Sequence, residues 1–201
     1  MSIFNLKEQN KELDYKIVAG LERLSQVFRS QLWEKAKTYQ LSPIQIQLLI
    51  FLQHHSTTKA TVSYMAQEFH VTKPTISDAI KILEQKKLLS KFPDPEDSRS
   101  YTMQLTTAGS HIVAVSENYV DPITQLIAKV AAHEKMILWE TICSLITQLN
   151  AQQIISVQRT CLACQHHRLR HEAHFCSLLD KKLEVKDIRL DCPEFEKSDT
   201  F

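Results

Sequence analysis

Residues 72–109 constrain the fold more than any other stretch of this chain. Ile76, Ala79, Ile80 and Leu83 fall on one face of a helical pattern, and Lys73, Thr75, Ser77, Asp78 and Lys81 fall on the other. Thr72 is placed to cap that helix, and Pro74 sits in its first turn, where a missing N–H costs nothing. Two short runs of strand character follow, at 88–92 and 101–105, with a charged tip at 93–100 between them. The second run leads into Leu105-Thr106-Thr107-Ala108-Gly109, where helical periodicity resumes. A helix with one short polar and basic face, followed at once by a narrow hairpin, is the order of a recognition helix and its wing.

The remainder of the chain is expected to be mainly helical. Two glycines and six prolines in 201 residues leave little turn or strand-bend material. With 43% hydrophobic and 23% charged residues the chain reads as globular. From about 7 to 39, Leu13, Ile17, Leu21, Leu24, Phe28 and Leu32 recur at helical spacing. A helix of that length exceeds the needs of a small core and implies a partner helix. Ser42 and Pro43 open a second helix, and a third is expected from about 59 to 69. Helical patterns return at 106–130 and at 133–157, where Leu138, Ile142, Leu145 and Leu149 form a seam with Cys143 among them as a core thiol.

The hairpin tip reads Asp94-Pro95-Glu96-Asp97-Ser98-Arg99, and Leu105-Thr106-x-x-Gly109 follows it. This Asp-x-Arg then Leu-Thr-x-x-Gly pattern, within a long helix, three shorter helices, a wing and closing helices, resembles the multiple antibiotic resistance regulator (MarR) family over residues 10–155. The resemblance implies a homodimer whose recognition helices enter adjacent major grooves of double-stranded DNA, with the wing arginine in the minor groove. It also implies a small-molecule effector in some members. Arg99 suits that place, since a guanidinium on a thin hairpin complements the negative potential of the groove, and Asp97 can orient it. Thr75, Ser77 and Lys81 are the base-facing candidates, and Lys73 and Lys91 the phosphate-facing ones. From His70 to Tyr101 there are six Lys or Arg against five Asp or Glu, and the whole chain carries +1. Tight binding by one copy is therefore not expected, and a dimer on a pseudo-palindromic operator supplies what charge does not.

The last forty residues have a different character. Cys161, Cys164, Cys176 and Cys192 are spaced C-x2-C-x11-C-x15-C, with His166, His167, His171 and His174 as alternative ligands. A two-residue gap lets two thiolates grip one ion, and soft thiolates select zinc or iron–sulfur. The single CxxC knuckle and the Cys192-Pro193 pair lean slightly toward an iron–sulfur cluster over zinc. The ending Arg189-Leu190-Asp191-Cys192-Pro193-Glu194 resembles a tail attached to a subset of MarR-type regulators. A thioredoxin-like use of the CxxC would need a βαβ context, which is missing here. Arg168-Leu169-Arg170 could meet phosphates or solvate the tail, and His54-His55 suit a helix end.

These features point to a mainly α fold with a small β-wing, a winged helix-turn-helix with long dimerisation helices at both ends and a small Cys-rich C-terminal module. The expected division is 1–40 dimerisation helix, 41–108 DNA-binding domain, 109–158 dimerisation helices and 159–201 metal module. The expected function is that of a transcription regulator, a repressor, tuned by the metal centre or a small ligand. Two rivals remain: a winged helix that binds protein, and a metal or thiol redox protein. No nucleophile–base pair is recognisable, so the chain is not read as an enzyme. The first residues have no apolar core followed by small residues, and no run approaches eighteen apolar residues, so a cytoplasmic protein without membrane spans is expected. In a reducing cytosol the five cysteines are expected as ligands or thiols, not disulfides.

Overall fold

A computed structural model of the chain describes residues 2–93, 101–157, 159–170 and 173–198. Its contacts group into two units, Met1–Ala60 with Asp78–Thr124, and Thr61–Ser77 with Gln125–Phe201.

In the first unit, α1 (Leu6–Gln9) is a single turn capped by Asn5, whose side chain accepts from the Lys7 N–H at 3.0 Å. The expected helix at 7–39 begins in earnest only at α2 (Leu13–Thr38), after a break at Asn10. α3 (Pro43–His54) starts as the sequence suggests, with Gln45 Oε1 accepting from the Ser42 N–H at 2.9 Å. Ile46, Leu48, Leu49 and Phe51 of α3 are buried, with Leu32 and Ala36 of α2 and Val113 of α6 (Thr107–Ser116). α3 packs on both α2 and α6. The helix α5 (Lys73–Gln85) runs into a hairpin of β1 (Leu89–Pro93) and β2 (Tyr101–Leu105), antiparallel with Leu89 opposite Leu105 and Lys91 opposite Met103. The Met103 N–H donates to Ala60 O at 3.2 Å and fixes the hairpin to the segment before α4.

The Leu-Thr-x-x-Gly stretch is explained by local geometry. Thr106 Oγ1 donates to Lys87 O at 2.7 Å, accepts from the Gly109 N–H at 3.1 Å, and the Thr106 N–H donates to Leu88 O at 3.1 Å. Gly109 lies so close to the Leu88 carbonyl that an added Cβ would stand 2.0 Å from its oxygen. Beyond α6 the expected helix at 106–130 is broken. A 3-10 turn at Glu117–Val120 precedes α7 (Asp121–Ala128), because Pro122 has no N–H to close a helical bond onto Asn118.

The second unit holds α4 (Val62–Glu68), capped by Thr61; the helix expected from about 59 begins only at Val62, after a 3-10 turn at Thr57–Lys59. It also holds α8 (Ala132–Ala151), which ends before 157 because Gln153 turns to positive φ and the Ile154 N–H closes onto Leu149 O at 2.9 Å. The tail folds into an antiparallel sheet of β3 (His167–Arg170), β4 (Ala173–Cys176) and β5 (Lys181–Leu183), in that order. The sequence offered no sign of this sheet. Cys143 of α8 clusters with Leu183 and Ile188, and Trp139, Cys161, Leu162 and Cys176 pack against them. Trp139 Nε1–H donates to Val185 O at 3.2 Å. Among the described residues no helix is long and apolar enough to cross a membrane.

Candidate nucleic-acid interface and cysteine pocket

The helix-turn-helix is built from α4 and α5. Between them the chain reverses at His70, whose φ is 52°, and the Val71 N–H donates to Ala66 O at 3.0 Å. Thr72 Oγ1 accepts from the Thr75 N–H at 3.3 Å and stands 2.9 Å from Thr75 Oγ1, so the expected cap forms. Ile76, Ala79, Ile80 and Leu83 are all buried, as their spacing requires. On the opposite face Lys73, Thr75, Asp78 and Lys81 are exposed and Ser77 is half-buried. The hydroxyls and ammonium groups on this face can donate to base edges and phosphates, and the Asp78 carboxylate can accept from a base.

The wing continues from α5 through a tight turn, where Lys87 takes positive φ and the Leu88 N–H bonds to Leu83 O at 2.9 Å. Lys91 is not left for phosphate alone. Its Nζ lies 2.6 Å from Glu84 Oε2 and 5.1 Å from the Tyr101 ring centroid, which braces β1 against α5. Asp97 and Arg99, the tip residues, lie outside the described residues. His54 is paired with Glu117 at 2.8 Å, and His55 stacks on Phe51.

All five cysteines are free thiols. Cys161, Cys164, Cys176 and Cys192 line one small cavity of about 20 Å³ together with His166 and His167, closed by Leu178, Leu179 and Leu183. The four candidate ligands are thus brought together, although among the described residues no three His, Cys, Asp or Glu converge as an ion would require. The Arg189 N–H donates to Cys161 Sγ at 3.3 Å, and Arg189 Nη1 lies 3.9 Å from Cys192 Sγ. Burial pushes the Cys161 thiol up, Cys192 and Cys176 add to this, and the Arg189 hydrogen bond opposes it. His166 Nε2 is buried without a hydrogen-bond partner, 3.5 Å from Glu196 Oε1. His174 turns instead to His167, with ring nitrogens 2.8 Å apart, and His171 lies outside the described residues. Arg168 and Arg170 sit on β3, the latter over the Phe175 ring at 4.2 Å.

Residues 39–100 match the family model described as MarR family. The match spans about a third of the chain and covers the helix-turn-helix and the start of the wing. Solved structures agree on the fold. The Staphylococcus aureus MepR–DNA complex is 22% identical with a TM-score of 0.58, and the match covers 66% of this chain and 97% of that one. S. aureus MepR in its DNA-binding conformation gives the same identity and score, over 66% and 98%. MepR described as a transcription regulator of the multidrug efflux pump MepA is also 22% identical, at 0.50 over 64% and 95%. Among curated proteins none matches the chain.

Within the matched segment lie Tyr64 and Glu68, the partners of an arginine that sequence reasoning passed over. Arg159, almost fully buried at 6% exposure, reaches Tyr64 and Glu68 of α4. Its Nη1 donates to Glu68 Oε2 at 2.6 Å and to Tyr64 Oη at 2.7 Å, and its Nη2 donates to Glu68 Oε1 at 3.0 Å. Its Nε donates to Asp191 Oδ1 at 2.6 Å. Burial alone would lower the guanidinium pKa, but the Glu68 hydrogen bonds and charge, with Asp191, hold it above its ordinary value. Burial also pushes the Tyr64 hydroxyl up. No local signal marks this cluster, because its partners stand 91, 95 and 32 residues from Arg159 in sequence.

Proposed function

We propose that this protein is a MarR-type homodimeric regulator that binds double-stranded DNA sequence-specifically and represses transcription. One observation carries the reading: α5 buries Ile76, Ile80 and Leu83 while keeping Lys73, Thr75, Asp78 and Lys81 exposed. A helix held rigidly on its apolar side and lined with short polar groups outside is suited to a major groove. Thr75, Ser77 and Lys81 read base edges, Lys73 takes a phosphate, and Lys91, braced by Glu84, sets the wing so that Arg99 enters the minor groove. The solved structures that share the fold include the S. aureus MepR–DNA complex, which favours DNA over a protein partner. Dimerisation is supported by the exposed apolar stripe of α2 (Leu13, Ile17, Leu21, Leu24 and Phe28) and by exposed Ile137 and Leu145 on α8. A small-molecule effector has a candidate seat in a cavity of about 320 Å³ lined by Trp139, Cys143, Thr147, Leu162, His174 and Ile188.

The cysteine tail is proposed as a thiolate metal site with Cys161, Cys164, Cys176 and Cys192 as ligands. The donor set fits in kind: the four cysteines line one small cavity, and Arg189 N–H groups donate to the sulfurs of Cys161 and Cys192. Four thiolates suit zinc as well as an iron–sulfur cluster. Bound there, the ion would tie the sulfurs together and stabilise the module.

The deciding experiment selects duplexes from a randomised pool with the purified protein. Fluorescence anisotropy then compares the enriched duplex with a scrambled one across salt concentrations. The proposal expects a palindromic consensus, preference of about a thousandfold or more, and affinity falling steeply with salt. Equal affinity for the scrambled duplex, or no salt dependence, would replace this reading with the protein-binding one.

A further inference from the structure

The cysteine pocket and the helix-turn-helix meet at one side chain. Residues 159–161 run alongside 189–192: the Cys192 N–H donates to Arg159 O at 3.1 Å, and the Cys161 N–H donates to Arg189 O at 3.0 Å. Arg159 and Asp191 also form a parallel bridge. Two of the four cysteines thus belong to the two strands that this pairing joins. From the same pairing the Arg159 guanidinium reaches across to the last turn of α4, clasping Glu68 through both oxygens and Tyr64 through its hydroxyl. A second tie follows the same route, with Ser156 Oγ donating to Gln67 O at 3.3 Å. Glu68 closes α4, and Thr72, the cap of α5, stands four residues further on.

We propose that Arg159 is a positioning residue that couples occupancy of the cysteine pocket to DNA binding by holding α4 to the Cys161–Cys192 pairing. The proposal rests on the reading of the four cysteines as a metal site. An ion held by Cys161 and Cys192 locks segments 159–161 and 189–192 together, which fixes Asp191 against Arg159 Nε. With both Asp191 and Glu68 in place the guanidinium is fully engaged, and α4 is pinned through a bidentate contact that tolerates little displacement. Without the ion the 189–192 segment loses its anchor. Asp191 is then free to leave, and the buried guanidinium loses the Nε–H hydrogen bond that helps to set its placement. The Glu68 end of α4 shifts with it, and the start of the recognition helix follows through the short His70 turn. By linkage, DNA must raise the affinity of the pocket for its ion by the same factor as the ion raises affinity for DNA.

The test uses the full chain, a zinc-competition assay with a coloured chelator, and anisotropy on a duplex enriched by the wild-type protein. Wild type with one zinc per chain should bind that duplex about tenfold tighter than the chelator-stripped protein. In Glu68→Gln, which keeps the shape of the contact and removes its charge, zinc should bind as in wild type while the tenfold ratio falls toward one. Asp191→Asn should do the same, and serves if Glu68→Gln fails to give a wild-type circular dichroism spectrum. Zinc binding with the full ratio retained in both variants would overturn the proposal. So would a wild-type protein that takes up zinc without any change in DNA affinity. A wild-type protein that takes up no zinc would instead remove the metal reading, and the coupling with it.

Discussion

Gly109→Ala should destabilise the protein although it places a better helix former inside α6. The new Cβ would stand 2.0 Å from Leu88 O and 3.0 Å from Leu88 C, both backbone atoms that no rotamer change can move. Contacts under 3.0 Å essentially never occur, so the helix start and the strand entrance must part by about 1 Å. That displacement falls on the Thr106 N–H to Leu88 O and Thr106 Oγ1 to Lys87 O bonds, at 3.1 and 2.7 Å. Two such bonds contribute about 1 kcal/mol each. Overpacking adds about 1–3 kcal/mol, and the gain in helix propensity returns about 1 kcal/mol. The net loss is about 3 kcal/mol, or about 6–12 °C in Tm for a chain of this size. Gly20→Ala is the control, since nothing lies within 4 Å of its added Cβ and α2 should gain about 1 kcal/mol. Thermal unfolding followed by circular dichroism reads both. A Gly109→Ala protein as stable as wild type would refute the argument that this glycine exists for close approach.

Three further outcomes are expected. Arg99→Ala should weaken binding to the enriched duplex by about fivefold or more while leaving Tm unchanged; equal affinity in anisotropy would remove Arg99 from the minor groove. Leu24→Glu, on a position 50% exposed in the single chain, should break the dimer. Two copies lose about 1.5 kcal/mol each, so association weakens by roughly a hundredfold, and light scattering should report a monomer at micromolar concentration. In chelator, a thiol reagent at neutral pH should modify the half-buried Cys161, Cys164, Cys176 and Cys192 well before Cys143, which is 4% exposed and whose thiol burial pushes up. Zinc should slow the first four, and a Cys143 that reacts among the earliest would contradict its place in the core.

The parts of the fold that were legible in sequence are those governed by local periodicity. The buried set Ile76, Ala79, Ile80 and Leu83 follows from a 3.6-residue period alone, and the strands appear within a residue of where alternation puts them. The break at Asp121 was signalled by Pro122, but apolar residues on both sides masked it. The tail sheet was not legible, because strands of three and four residues are too short to display alternation. The candidate DNA face could be named from sequence, and so could the four cysteines that now share one cavity. The commitment of Lys91 to Glu84 could not, since it depends on how the hairpin leaves α5. Arg159 is the extreme case, a lone arginine whose partners are tens of residues away.

That arginine also argues about what kind of device the tail is. A buried ion pair is a poor way to gain stability, because desolvating the charges offsets most of their attraction, and packed hydrophobic residues would join α4 to the tail as firmly. What a guanidinium adds is dependence on several partners at once. Glu68 lies on α4, Asp191 stands beside Cys192, and each accepts from a different edge of the guanidinium. A purely structural tail would gain nothing from making α4 answer to Asp191. Under the proposed coupling, a regulator would gain a contact that holds only while the cysteine side is ordered, at the helix that leads into the recognition helix.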